Sequence, residues 1–223
     1  MTRPQNPTAL VTGGNRGIGR AIAAGLQAQG CAVILGARDE DQGRQAAAEI
    51  GCSYARLDLE DPDTGFELYA RAGGFDILVN NAGILEDVSL LSPRSDFARA
   101  MEVMVAAPLD LIRMNASHWR ENGWGRIVNL SSGWGAHAER LGGPGAYGVA
   151  KAALNALTRA LVRDLPEGVK INACCPGWVA TRMGGPTAPL TPEEGADTPI
   201  WLALLPEDGP TGGFFRRKQV IGW

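Results

Sequence analysis

Tyr147 and Lys151 stand four positions apart at the head of a segment whose apolar residues recur with helical period, so their side chains fall on one helix face. A phenol with a pKa of about 10 is a poor proton carrier near neutrality, but an ammonium within ~4 to 6 Å favours the phenolate and lowers that value. Together they can work as one acid–base unit. Alone, a Tyr-x-x-x-Lys spacing reads more readily as an amphipathic surface pair, so its meaning depends on what else the chain places beside it.

A second cluster lies near the start. Thr12-Gly13-Gly14-Asn15-Arg16-Gly17-Ile18-Gly19 follows an apolar run and opens an apolar-periodic one. A loop that leads from a strand into a helix presents free N–H groups and the positive end of the helix dipole, a natural seat for phosphate. Gly13 suits the tight turn, Gly17 lets backbone approach a pyrophosphate, and Gly19 lets the helix lie close to the strand.

The elements that must hold these clusters alternate. Strand-like runs cover 9–12, 32–37, 54–57, 77–80, 126–130, 171–175 and a short 219–221, with helical periodicities over 17–29, 41–50, 62–71, 94–118, 146–163 and 191–204. Such alternation predicts an α/β fold: a single-domain, Rossmann-type, doubly wound parallel sheet of about seven strands with helices on both faces. The Pro/Gly-rich stretch 184–199 is expected to be a mobile loop over a site. A net charge of −3 with no dense basic block argues against nucleic acid as the main partner. No apolar segment approaches the roughly 18 residues of a membrane span, so a cytoplasmic protein with no membrane partner is expected. Cys31, Cys52, Cys174 and Cys175 lack metal-binding spacing, the adjacent pair pointing to opposite faces of a strand, and with only His118 and His137 no metal centre is expected.

These motifs in this order resemble the short-chain dehydrogenase/reductase family. The glycine stretch is similar to its T-G-x-x-x-G-[IL]-G cofactor loop, Asn80-Asn81-Ala82-Gly83 to its N-N-A-G signature, Tyr147 to Lys151 to its Y-x-x-x-K, preceded by Ser131-Ser132, and Pro176-Gly177 with Thr181 to its P-G-x-x-x-T. The resemblance runs from about residue 9 to the C-terminus and implies a nicotinamide dinucleotide. It gives Tyr147 the role of proton donor or acceptor, Lys151 the nicotinamide ribose and the tuning of the tyrosine, and Ser132 a hydrogen bond to the substrate oxygen. It assigns Asp58, with Leu59, to the adenine, and Asn81, Ala82 and Gly83 to the turn beside the adenosine ribose. Asn15 and Ile18 join the cofactor loop, while Val179 and Thr181, after Pro176 and Gly177, would hold the carboxamide. Arg38 closes the second strand where an acidic residue would take a ribose 2′-hydroxyl, and Arg16 approaches from the glycine loop; two forked guanidiniums suit a 2′-phosphate and predict NADP(H). In the competing reading these arginines are solvated and Asp39 binds an NAD ribose.

One departure stands out. Family members carry an asparagine in the fourth helix whose backbone carbonyl holds a water in a proton relay to the lysine, and the matching position here is Met104. Asn115 lies too far along to replace it, whereas Pro108, lacking an N–H, could leave the Met104 carbonyl open. Trp134, His137, Leu141 and Trp178, with Leu85 and Met183, suggest an apolar cleft for an uncharged hydrophobic ketone, aldehyde or alcohol; for Leu141 and Met183 ordinary core packing is an equal reading, and His137 reads as a loop residue. The short connection from Ser132 to Tyr147 lacks the helical insertion of the animal carbonyl reductases, which reopens association into a homodimer or homotetramer. Two other readings remain: a non-catalytic NADP-binding sensor, and a ketoreductase of acyl-carrier thioesters, for which Arg216, Arg217 and Lys218 form the one dense basic triplet.

Overall fold

The computed structural model describes residues 3–223. Its strands are β1 (Thr8–Thr12), β2 (Ala32–Ala37), β3 (Ser53–Arg56), β4 (Ile77–Asn80), β5 (Gly125–Leu130), β6 (Val169–Cys174), β7 (Phe214–Arg216) and β8 (Gln219–Val220). The helices are α1 (Gly17–Ala28), α2 (Glu40–Ile50), α3 (Pro62–Ala72), α4 (Arg94–Met101), α5 (Ala107–Asn122), α6 (Tyr147–Leu161) and α7 (Pro192–Ala203). One sheet runs in the order β3-β2-β1-β4-β5-β6-β7-β8, parallel up to β7. Because the chain winds outward in both directions from β1 and β4, the carboxyl ends of these two strands diverge into a crevice.

Alternation along each strand sorts the core. Leu10, Leu78, Ile127 and Ile171 face Leu68 of α3 and Leu111 and Trp119 of α5. The neighbouring Val11, Val79, Val128 and Cys174 face Ile22 and Leu26 of α1 and Leu202 of α7. Both faces are covered, as a parallel sheet requires. Cys174 and Cys175 fall into different clusters, and all four cysteines are free thiols.

Two expectations need correction. The helix expected over 94–118 is broken by a π-helical stretch, Glu102–Ala106, in which the Ala107 N–H reaches the Glu102 carbonyl; it then continues to Asn122, where Gly123 ends it at φ 63°. Pro108 cannot donate an α-helical hydrogen bond, and a widened turn is one way to absorb that loss. The stretch 184–199 is not all loop: Thr191 and Glu194 form a reciprocal capping box that starts α7, and Leu190 bridges to Val179. The expected sheet of about seven strands is borne out, with eight in all. Phe214–Arg216 extends it in parallel, and Gln219–Val220 returns as an antiparallel partner through Arg217 and Lys218 at positive φ.

At the opposite edge from the crevice, Arg126 is fully buried and binds the carbonyls of Leu205, Gly125, Gly168 and Pro206 at 2.7 to 3.1 Å, its guanidinium 4.3 Å from the Trp124 ring. Burial pulls its pKa down to about 10. Arg126→Met is expected to leave several buried carbonyls unpaired and destabilise the protein by about 3 kcal/mol or more. Urea denaturation checks this, and an unchanged midpoint would refute it.

Candidate active site

Parallel register brings Thr12, Asn80, Leu130 and Cys174, the last residues of β1, β4, β5 and β6, to one edge. There the Thr12 hydroxyl accepts the N–H groups of Asn81 and Ala82, both at 3.0 Å, and the Asn81 amide donates to the Thr12 and Gly13 carbonyls at 2.8 and 3.2 Å. Gly13 turns at φ 63° against Ala82, and a Cβ on Gly19 would collide with the Gly13 carbonyl and the Asn81 amide. Gly19 therefore serves the approach of α1 to the loop and to the Asn80–Gly83 turn. Gly17, at φ 53°, lies under the Thr181 methyl, where a Cβ would come within 3.1 Å. The segment after β6 is thus laid on the glycine loop, with Val179 buried against Gly195 of α7.

This edge suits a phosphorylated dinucleotide. Helix α1 starts at Arg16 with no side chain capping its free N–H groups, which leaves them for an anion. Burial lowers the Arg16 pKa, and so do the nearby positive charges of Arg182 and Arg38. Three guanidiniums from three segments therefore converge, and an anion would relieve their repulsion. Asp39, the carboxylate of the competing NAD reading, is engaged as the N-cap of α2, accepting the Gln42 backbone N–H at 2.9 Å and its side-chain amide at 2.8 Å. Asp58 accepts the Glu60 N–H at 3.1 Å in the turn after β3, next to Leu59; the cap position of α3 itself is Asp61. Asn15 donates to Gln42. Pro176 and Gly177 make the turn out of β6, Gly177 at φ 87°. Arg182 is the member of the cluster that sequence reasoning missed; its one signal was its place directly after Thr181.

Ser132, Tyr147 and Lys151 come together beside these loops. The Ser132 oxygen accepts the Trp134 N–H at 3.2 Å, and the Trp134 ring meets Tyr147 edge-on with centroids 6.1 Å apart. Lys151 is 3% exposed, and its Nζ donates to the Leu130 carbonyl at 2.6 Å while lying 5.6 Å from the centre of the Tyr147 ring. The expected lowering of the phenol pKa by the ammonium does not occur in this arrangement. Burial pushes Tyr147 up to about 12 against the opposing hydrogen bond of Ser132, and burial brings Lys151 down to about 8. Desolvation penalises both charged forms and is the largest cause of each shift.

Behind the pair, the buried Met104 lies in the π-helical stretch with its sulfur facing Gly83, as the Lys151 amine does. In α-helical geometry its carbonyl would accept from residue 108, which is the proline and has no N–H to give. Asn115 is committed elsewhere, exchanging two 2.8 Å hydrogen bonds with the Phe75 backbone. A buried chain missed from sequence, Asn80 to Asn129 to Thr158, joins β4, β5 and α6 at 2.8 and 2.9 Å. Trp134 and Trp178 are 48% and 57% exposed on the loops after β5 and β6. Leu141 and Met183 are exposed too, which removes the core-packing reading, and His137 sits on an exposed turn. The basic triplet is partly consumed: Arg216 pairs with Glu139 at 2.8 Å and Lys218 with Asp197 at 2.7 Å. Among the described residues no His, Cys, Asp or Glu group could hold a metal ion, and no helix is long and apolar enough to cross a membrane.

The Lys151 shift has a thermodynamic signature. Between about pH 8 and the ordinary lysine value of 10.5 the unfolded chain holds the extra proton, so this residue adds stability as pH rises through that window, and its full cost is felt below it. The stability advantage of Lys151→Met over the wild type should be largest below pH 8 and shrink towards pH 10.5. Urea titrations at several pH values read it; a difference that stays constant would count against the shift.

A family profile described as short chain dehydrogenase matches residues 7–189. Carbonyl reductase [NADPH] 1 of Mus musculus is 36% identical over 282 aligned positions, covering 97% of this chain and 98% of the relative. That span exceeds the 223 residues here, so the relative carries stretches without a counterpart. Carbonyl reductase Sniffer of D. melanogaster superposes with a TM-score of 0.84 at 28% identity, covering 98% of this chain and 100% of that one. The NADPH-bound carbonyl reductase from chicken fatty liver superposes at 0.83 with 26% identity, covering 99% and 100%. With its Rossmann-like sheet, its glycine loop and its match to the profile over most of its length, the chain belongs to the short-chain dehydrogenase/reductase family.

Proposed function

We propose that the protein is an NADPH-dependent carbonyl reductase acting on uncharged, hydrophobic ketones or aldehydes, with Tyr147 as general acid. The observation that carries the reading is a convergence of three side chains: the partly buried Tyr147 phenol edge-on to the Trp134 ring, the Lys151 amine 5.6 Å from the centre of the Tyr147 ring, and Ser132 at the adjoining turn. A protonated phenol is the form needed to reduce a carbonyl at neutral pH. The Ser132 oxygen accepts from Trp134, and its O–H, directed at the Tyr147 oxygen in this arrangement, would turn to the substrate oxygen as charge develops there. Lys151 spends one donor on Leu130, and its others are available to ribose hydroxyls. When bound, NADPH supplies the hydride for the carbonyl carbon. Residues Gly13 to Gly19, Asn81 to Gly83, and Pro176 to Thr181 would hold the dinucleotide, with Arg16 and Arg38 on its 2′-phosphate. The exposed Trp134, Trp178, Leu141 and Met183 favour an apolar substrate. An acyl-carrier reading is weakened by the ion pairs that occupy Arg216 and Lys218.

Absorbance at 340 nm, followed with NADPH or NADH and a panel of aryl ketones, tests the proposal. Tyr147→Phe should lower kcat by at least about 100-fold. Arg38→Ala should weaken NADPH binding while sparing NADH. Tight NADPH binding without turnover of any carbonyl would favour the sensor reading instead. Proton resupply is assigned to the Met104 carbonyl, so Pro108→Ala, which returns a donor to that carbonyl, should reduce kcat more than Met104→Leu does; the reverse order would remove the backbone from the relay.

A further inference from the structure

Arg99 on α4 lies at the centre of an ion-pair chain to which the reaction assigns no role. Its Nε and Nη2 donate to the two carboxylate oxygens of Glu60 at 2.8 and 3.1 Å, a two-point contact. Its Nη1 reaches Glu86 at 2.5 Å. Glu60, in the turn after β3, also touches Arg38, but only through Nη1 at 3.4 Å, and the Arg38 side chain is 63% exposed. One carboxylate is therefore shared unequally between two guanidiniums: Arg99 holds it by a fork, and Arg38 is at its fringe. Paired contacts of that kind are much the stronger.

The unequal sharing matters because Glu60 and a phosphate monoester are rival anions for Arg38. A carboxylate tethered beside Arg38 is present at high effective concentration, and its charge would repel an incoming dianion. Held by Arg99, it meets Arg38 only at the fringe and is largely neutralised. Glu60 is pulled below the usual carboxylate range chiefly by this hydrogen bond, which also raises Arg99. The other arm of Arg99 fixes Glu86, whose loop packs on the turn before α6: a Cβ at Gly145 would meet the Val88 and Glu86 carbonyls at 2.7 and 3.0 Å.

We propose that Arg99 is a positioning residue for cofactor choice: by sequestering Glu60 it leaves Arg38 free for the 2′-phosphate of the dinucleotide, while its contact with Glu86 steadies the loop beside Tyr147. The inference rests on the NADPH reading above. It differs from the direct phosphate contacts in predicting that a residue away from the phosphate acts through a carboxylate.

Tryptophan-fluorescence quenching of the full protein by NADPH, NADH and adenosine 2′,5′-bisphosphate tests it at equilibrium, without turnover. Arg99→Gln should weaken NADPH and the bisphosphate roughly five- to tenfold, the scale of one surface ion pair redirected to Arg38, with NADH nearly unchanged. Glu60→Gln should bind NADPH at least as tightly as the wild type, and the Arg99→Gln/Glu60→Gln double variant should recover to that level. Glu86→Gln should leave the NADPH-to-NADH ratio alone and raise KM for the ketone. Equal loss of both cofactors in Arg99→Gln, or no recovery in the double variant, would show a merely structural role and overturn the proposal while the cofactor reading stands. If Arg38→Ala leaves NADPH and bisphosphate binding intact, the cofactor reading falls and takes the proposal with it.

Discussion

A lysine amine buried at the end of β5, with the Leu130 carbonyl as its protein partner, is the constraint around which the candidate site is arranged. Removing a cation from water is costly, and the fold meets that cost by placing the amine on the Leu130 carbonyl and by letting its pKa fall. The same 2.6 Å contact sets how far α6 stands from the sheet, and with it where Tyr147 projects at the first turn of the helix. Ser131 reinforces the seam by donating to the Lys151 carbonyl at 3.4 Å, and the Asn129 to Thr158 hydrogen bond repeats it two turns further on. Acid–base geometry and helix docking are thus one arrangement.

Around that seam the loops are stitched to each other and to the ends of the strands. Thr12 and Asn81 join the glycine loop to the turn after β4, and the Thr181 methyl rests on Gly17. On the far side Cys175 accepts the Gly133 N–H and the Arg216 Nε–H, both at 3.3 Å, so the backbone just beyond Ser132 is tied to β7. Loops held in this way lose little further freedom when a ligand settles on them, which favours affinity.

Much of this was legible in the residues, and the exceptions are instructive. Strands β2 and β4 and the start of α1 stood where composition put them, because apolar runs bounded by glycine or asparagine have few other readings. The glycine loop could be read because each glycine answers a separate steric demand. The π-helical stretch could not, since Glu102 to Ala106 carry ordinary helical residues and the sole cue, Pro108, lies beyond them. Strand β7 escaped for lack of length: three residues show no period. Arg126, at the start of the strand expected over 126–130, is a buried tie for four carbonyls, a role fixed in part by the segments before β6 and after α7, far away in sequence. The upward shift of Tyr147 was missed for a related reason: spacing reports which charges are neighbours, but not how much water they keep.

The small antiparallel return of β8 has a consequence beyond completing the sheet. A parallel sheet ending at β7 would offer unpaired N–H and carbonyl groups as a template for another chain. Here β8 is two exposed residues long, reached through Arg217 and Lys218 in left-handed conformation, and Lys218 is pinned to Asp197. At the other end, β3 spans four residues and finishes in Arg56. Both borders are short and carry charge at their ends, so molecules meeting edge to edge in a crowded solution find little ladder to extend, and the fold protects itself against aggregation without covering either border.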